Sequence, residues 1–207
     1  YEKVFEIGKA FRNEGADPSH LPEHTSLEHY AAYWNFEDNM IFTEKMFNFL
    51  FKKLKLDKKI AVIGKDGKSR EVDFSTPWKK VDFIEMIKKD SGIDLEKIKN
   101  EKELKKEIKK NKVEIEEMEA MGLASLIDAL YKKVSRGKLV GPLFLYNYPV
   151  ACQPLARRSD QDKTKVEQFQ LIINGWEIVK AYSELVDPMD QAERFKEQAA
   201  SAAKGDM

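Results

Sequence analysis

Residues 4–33 constrain the fold more than any other stretch of this chain. Val4, Phe5 and Ile7 are strand-forming apolar positions, and Phe11 follows Gly8 and Ala10. A strand here delivers Arg12 and Glu14, two residues apart, to one face. Regularity then breaks: Gly15, Pro18 and Pro22 forbid a long helix or an interior strand before His24. A second alternating run over residues 25–33 puts Glu28 and Tyr30 on one face. The pattern predicts two antiparallel strands joined by a long loop, with Arg12, Glu14, Glu28 and Tyr30 on a common surface.

At 207 residues the chain is long enough for one domain with a real core, with room for an inserted subdomain. Lys and Arg number 36 and Asp and Glu 36, so the net field gives no argument for a polyanion partner. A single cysteine, Cys152, excludes an internal disulfide and fits a reducing compartment. No basic or histidine residue neighbours it in sequence, which favours a buried small hydrophobe over a nucleophile. No apolar run approaches membrane-spanning length and no charged-then-apolar leader precedes Phe5. The expectation is a cytoplasmic protein without a membrane partner.

Residues 39–56 predict a helix, with Met40, Phe42, Met46, Phe47, Phe49, Leu50 and Leu54 crowding it. Residues 60–63 and 70–74 predict a hairpin about Asp66-Gly67. Residues 81–87 read as helical, ended by Ser91-Gly92. The charge run 99–112 interleaves acids and bases and reads as a solvated helix face. From Glu114, the positions Ile115, Met118, Leu126, Ile127, Leu130 and Val134 form a stripe that packs a last helix of this region on the domain. Residues 143–148 read as a strand closed by Pro149. Residues 169–173 and 176–178 form a hairpin turning at Asn174-Gly175, and residues 188–203 a closing helix.

Two stretches carry a resemblance. The run Phe11-Arg12-Asn13-Glu14-Gly15, with Pro22-Glu23-His24-Thr25-Ser26-Leu27-Glu28-His29-Tyr30, resembles motif 2 of the class II aminoacyl-tRNA synthetases in its lysyl version. The run Tyr182-Ser183-Glu184-Leu185-Val186-Asp187-Pro188, followed by Gln191 and Arg194-Phe195, resembles what separates lysine enzymes from aspartate and asparagine relatives. Residues 154–158 resemble the same family's PLAR segment. The likeness runs from end to end, more weakly between Lys53 and Val134. It implies an α+β fold, a class II synthetase-like antiparallel sheet flanked by helices, with a helical insertion at 79–135. No glycine-rich motif 3 run is present, so residues 1–207 are expected to be part of a catalytic domain, from motif 2 to just before motif 3.

The resemblance implies ATP-dependent activation of lysine and its ligation to tRNA(Lys), with Mg2+, in protein biosynthesis. It also implies a homodimer in the full-length protein, with tRNA held mainly by an anticodon-binding domain outside this chain. Arg12 would bridge phosphate and carboxylate oxygens with its planar fork and act catalytically. Glu14 would accept from the adenine amino group, His20 would approach the triphosphate, and His24 stands where the family stacks a phenylalanine on adenine. Glu28 and Glu184 match the acids that face the substrate's ε-ammonium, with Tyr30 and Tyr182 walling its stem.

Three departures stand out. Glu177 is kept from the family's acid pair for magnesium, but its partner is Gln170, a weaker ligand for a hard cation. Lys180 replaces an asparagine that touches lysine. In a regular strand it shares a face with Glu184 and not with Glu177, and it is expected to pair with Glu184 and Glu28 until substrate enters. Only a bulge would bring both acids of this strand into one pocket. All three histidines lie within 20–29, which suggests zinc, but a proline-interrupted loop is a poor frame for its ligands.

Two other readings share the fold: a ligase that attaches a lysine-type group to elongation factor P, and a non-catalytic binding module. The run 182–188 and the insertion favour the tRNA ligase. Residues 1–207 alone are expected to show no lysine-dependent pyrophosphate exchange; turnover by the purified piece would refute that reading of the missing parts.

Overall fold

The structure is a computed structural model that describes residues 1–13 and 21–202. It divides into two units, Tyr1–Trp34 and Asn35–Met207.

The first unit is a hairpin of β1 (Lys3–Phe11) and β2 (Glu23–Ala31), antiparallel as the alternation predicts. Phe11 lies opposite Glu23, and the Arg12 amide extends the ladder by donating to the Pro22 carbonyl at 2.8 Å. Lys9 pairs with Glu23 at 3.1 Å, and the Lys3 ammonium sits 4.5 Å from the centre of the Trp34 ring. Both charges of the ion pair are well solvated, so it adds little stability.

The second unit opens with α1 (Phe36–Leu54), which starts three residues before the expected Asn39. Asn35 caps it: its side-chain oxygen accepts from the amides of Glu37 and Asp38, both at 2.9 Å, and Asp38 returns a bond to the Asn35 amide. Lys55, left-handed at φ 54°, closes the far end. Next comes the hairpin of β3 (Lys59–Ile63) and β4 (Ser69–Asp73), with Gly67 at φ 75° in the turn.

β5 (Lys79–Asp82) then takes Val81 and Asp82, which the sequence reading assigned to a helix. Val81 pairs with Leu145 in a parallel ladder, and Asp82 caps α2 (Phe83–Ser91) by accepting from the amides of Ile84 and Glu85. Gly92, φ 75°, ends α2 as expected. α3 (Glu101–Lys110) carries the charge run, and only Leu104 and Ile108 go inward. α4 (Leu123–Val134) begins later than the stripe from Glu114 suggested. Glu117 is left-handed at φ 52° and a 3-10 turn covers Met118–Ala120, so Ile115 and Met118 reach the core from outside the helix.

β6 (Leu143–Tyr146), β7 (Gln168–Ile173) and β8 (Trp176–Tyr182) complete a sheet of order β5-β6-β7-β8. The β5–β6 pair is parallel and the other two are antiparallel, so the sheet is mixed. One face, with Phe144, Phe169, Leu171 and Ile173, packs on Met40 and Phe51 of α1 and on Val72, Phe74 and Trp78. The opposite face, with Leu143, Leu145 and Ile172, packs on α2, α3 and α4. The segment 79–135 thus contains a sheet strand as well as helices.

α5 (Pro188–Ala202) is fastened by Arg194, which is 2% exposed. Its Nε and Nη2 donate to the two Asp190 oxygens at 2.9 and 2.7 Å, and Nη1 donates to the carbonyls of Gln153, Pro154 and Ala156. Arg158 also donates to Asp190, at 3.1 Å. The Arg194 hydrogen bond, with help from Arg158, holds the Asp190 carboxyl below the usual carboxylate range. Asp190→Ala leaves a buried guanidinium uncompensated and should cost about 3–5 kcal/mol in urea unfolding. A depressed carboxyl stabilises the fold above its unfolded pKa of about 4, and that contribution fades as pH falls through the folded value. The variant should therefore lose less stability than the parent on acidification; an equal loss would show that Asp190 carries none of it.

Candidate functional site

In the first unit the register fixes which side chains share a face. Val4 lies opposite Tyr30, Glu6 opposite Glu28, Gly8 opposite Ser26 and Ala10 opposite His24. Continuing the alternation puts Arg12 on that same face. Of the predicted grouping, Arg12, Glu28 and Tyr30 share one face of the hairpin, and His24, opposite Ala10, lies on it too. Glu14 and His20 lie outside the described residues.

Glu6 is a member that the sequence reading missed. Its carboxylate lies over Gly8, where an added Cβ would come within 3.2 Å of Oε1. Two acids directly opposite each other repel, so this face is an acidic spot suited to a cation. Alternation from Glu28 back across the pair would have found it, but only once the register was known.

In the second unit the site face belongs to β7 and β8. Gln168 pairs with Tyr182, Gln170 with Lys180, and Ile172 with Glu177. The step from Leu171–Val179 to Ile172–Glu177 leaves Ile178 as an extra residue, a bulge in β8. Glu177 therefore joins Gln170, Lys180 and Tyr182 on one face, which a regular strand would have denied it. The expected separation of Lys180 from Glu177 is corrected by this bulge.

The bulge is clamped at its turn. Asn174 and Gly175 have φ of 46° and 79°, as a two-residue hairpin turn needs. The Asn174 side chain donates to the Val62 carbonyl at 2.7 Å and accepts from Arg70 at 2.7 Å, and Trp176 donates to the Ile63 carbonyl at 2.9 Å. Just before β6, Gly141 at φ 69° must be glycine, since an added Cβ would lie 2.2 Å from the Ile172 carbonyl oxygen.

Gln170 is 9% exposed, and its Oε1 accepts from the Tyr148 hydroxyl at 2.5 Å. Its amide hydrogens are left for Glu177, whose carboxylate they stabilise. Tyr148 is itself buried and stacks on Phe83 with ring centres 4.5 Å apart. Glu177 is exposed as a residue, yet loss of water around its carboxylate raises its pKa, while Lys180 and Arg136 pull it back. Arg136 is held in place by donating Nε to the Gly175 carbonyl at 2.9 Å. Tyr148 and Arg136 are the second-unit members the sequence did not suggest; both act across more than 20 residues of chain, where no local pattern links them. Gln168, fully buried on the same face, has no hydrogen-bond partner for its amide oxygen or nitrogen among the described residues.

Tyr182 is half-buried and packs against the α2–α4 side of the core. Glu184 is exposed and bridges to Ala156. Between them Ser183 is buried: its Oγ accepts from the Phe36 amide at 3.1 Å and its carbonyl from the Arg157 amide at 2.9 Å. The runs 154–158 and 182–188 are thereby joined, and Arg194 holds the former. Burial pushes the Cys152 thiol up to about 12, in keeping with an inert side chain.

This α+β architecture, with the hairpin face and the bulged strand pair, is that of a class II synthetase domain. The profile of the family described as tRNA synthetases class II (D, K and N) matches residues 1–206, and the chain belongs to that family. Its relatives include the lysine–tRNA ligase of Aquifex aeolicus, 40% identical over 210 residues, covering all of this chain and 34% of the relative. Those of Thermotoga maritima and Clostridium acetobutylicum are 42% and 37% identical, again over all of this chain and over 39% of each relative. The chain thus spans between about a third and two-fifths of the length of these relatives.

A carboxyl with a raised pKa favours the fold while protonated and loses that contribution as pH rises through its folded value. Glu177→Gln should therefore be more stable than the parent at neutral pH, with the gap closing below about pH 4. Lys180→Met should raise the Glu177 pKa further, read from its carboxyl carbon by NMR. An unmoved titration would mean that Lys180 does not act on Glu177.

Proposed function

We propose that this chain carries part of the catalytic unit of a lysine–tRNA ligase, which activates lysine with ATP and passes it to tRNA(Lys). The observation that carries this reading is the match of the whole chain, at 37–42% identity, to proteins named lysine–tRNA ligase. Within that reading residues 1–207 are a partial catalytic domain, with 79–135, the strand β5 followed by helices, as its insertion. Cytoplasmic protein synthesis and a homodimer in the whole protein belong to the same proposal. No helix among the described residues is long and apolar enough to cross a membrane.

Forming an aminoacyl-adenylate needs the lysine carboxylate in line with the α-phosphate of ATP, and little covalent work from the protein. Arg12 is proposed to bridge the two anions, which its planar five-donor fork suits. Glu14 would take the adenine amino group, His20 the triphosphate and His24 the face of the base. Glu28 and Glu184 would face the ε-ammonium, with Tyr30 and Tyr182 along the aliphatic stem. Glu6, directly opposite Glu28, adds negative charge on the same hairpin face and supports the preference for a cationic side chain. A neutral substrate would leave such acids unpaired out of water, which disfavours it strongly. Mg2+ enters this scheme as the counter-ion of ATP. Glu177 and Gln170, the pair that the family resemblance assigns to it, make a poor donor set, because the Gln170 oxygen already accepts from Tyr148.

Glu184→Gln in the intact protein keeps shape and removes one countercharge. It should weaken lysine binding by about 2–5 kcal/mol while ATP binding holds, as measured by calorimetry with each ligand. Loss of ATP affinity with lysine affinity intact would assign Glu184 to the other substrate.

A further inference from the structure

The extra residue in β8 gathers a set of groups that does not suit a divalent cation. Lys180 lies directly across the ladder from Gln170, and the bulge brings Glu177 onto their face. A hard dication takes six or more oxygen donors, carboxylates foremost. Here the Asp128 carboxylate that also acts on Glu177 is paired with Lys132 at 2.6 Å, and the strand pair supplies one carboxylate, Glu177. The one amide oxygen beside it is engaged by the Tyr148 hydroxyl at 2.5 Å, so Gln170 turns its N–H groups, not its oxygen, toward Glu177. Tyr148 cannot easily release it, being 4% exposed and stacked on Phe83. Two cations, Lys180 and Arg136, already act on the Glu177 carboxylate, and Arg136 is fixed by its bond to the Gly175 carbonyl. Among the described residues no group of three or more His, Cys, Asp or Glu side chains is arranged to hold a metal.

We propose that the Glu177–Gln170 subsite of this chain is closed to divalent cations, and that the Lys180 ammonium supplies in their place the positive charge that faces an anionic ligand. The second half rests on the nucleotide reading above; the first rests on the chain's own side chains alone. A lysine suits the substitution: its ammonium is a compact charge on a flexible stem, a recurrent partner of phosphate. Unlike an ion it cannot be lost to chelation or competition. Glu177 takes its side-chain hydrogen bond from the Gln170 amide, while Lys180 and Arg136 act on it through their charge, so Lys180 can turn toward the ligand. No bond is made or broken by Lys180; it positions and neutralises.

The test uses the intact protein and Mn2+ as the probe. Without nucleotide, electron paramagnetic resonance titration should find no Mn2+ bound to the parent in a way that Glu177→Gln abolishes. The double variant Gln170→Glu/Lys180→Asn should gain one Mn2+ per chain, about 10- to 100-fold tighter than the parent, and lose it on adding Glu177→Gln. If that variant melts abnormally, Lys180→Gln at this exposed position should by itself raise Mn2+ affinity. A parent site that depends on Glu177, or variants that fold and stay silent, overturns metal exclusion. In a second arm, ATP binding is measured in EDTA: the parent should retain it and Lys180→Asn should lose about tenfold or more. Equal ATP affinity in both overturns the role given to Lys180. A parent that binds no ATP even with Mg2+ sinks the nucleotide reading instead, and the Mn2+ arm still decides whether the subsite is closed.

Discussion

A strand buried on both faces leaves its polar side chains no water to turn to, and β7 is such a strand from Gln168 to Ile173. Phe169, Leu171 and Ile173 answer to α1 and the β3–β4 side, while Ile172 answers to α2–α4. The two glutamines must find partners within the protein or go without, and an unmet buried amide is costly. Gln170 finds Tyr148, which fixes which end of the amide faces the site. The orientation of one buried side chain thus decides whether the neighbouring carboxylate meets a ligand oxygen or a hydrogen-bond donor. Gln168 has no such partner among the described residues.

The same strand explains why the site can tolerate a bulge. An extra residue disrupts the ladder, so the surrounding structure must hold the strand in place. Asn174, Trp176 and Gly141 do so from three sides, the first two by bonds to the β3 backbone and the third by leaving room for the Ile172 carbonyl. Farther along the chain, Arg194 performs a comparable task for residues 153–156, which in turn bridge to Glu184. Glu184 itself is exposed, so its position depends on neighbours that are not. Site geometry here is set by backbone anchoring more than by contacts among the site residues themselves.

Local signals were legible where chain neighbours determine the outcome. The Asp66-Gly67 and Asn174-Gly175 turns and the Gly92 stop follow from residues within one turn of each other. The hairpin of the first unit was readable for the same reason, because alternation fixes its faces. What escaped was non-local. Val81 and Asp82 sit in a helix-like pattern, yet Leu145, more than 60 residues on, recruits them into a parallel ladder. The start of α4 was hidden because Ile115 and Met118 pack against the core without lying in an α-helix. A bulge leaves no mark in composition, so the face shared by Glu177 and Lys180 could be named as a condition but not read. Motif likeness named the candidate residues; only the register set their neighbours.

The zero net charge of the chain illustrates how little a sum says about a site. A field that draws in a long polyanion needs many unpaired cations over a wide surface. Recognition of a small anion needs one or two at fixed points, where displaced water makes each count for more. In this chain the acids and bases of α3 cancel one another in solvent. Lys180 and Arg136, by contrast, stand beside a carboxylate that has lost water and whose hydrogen-bonding neighbour is a neutral amide. Against the pattern that the family resemblance implies, Gln170 in place of an acid removes a negative charge from that face, and Lys180 in place of an asparagine adds a positive one. The two departures from the family pattern therefore change the local charge in the same direction. Such a shift is what a site would require if it were to hold an anion without borrowing a metal.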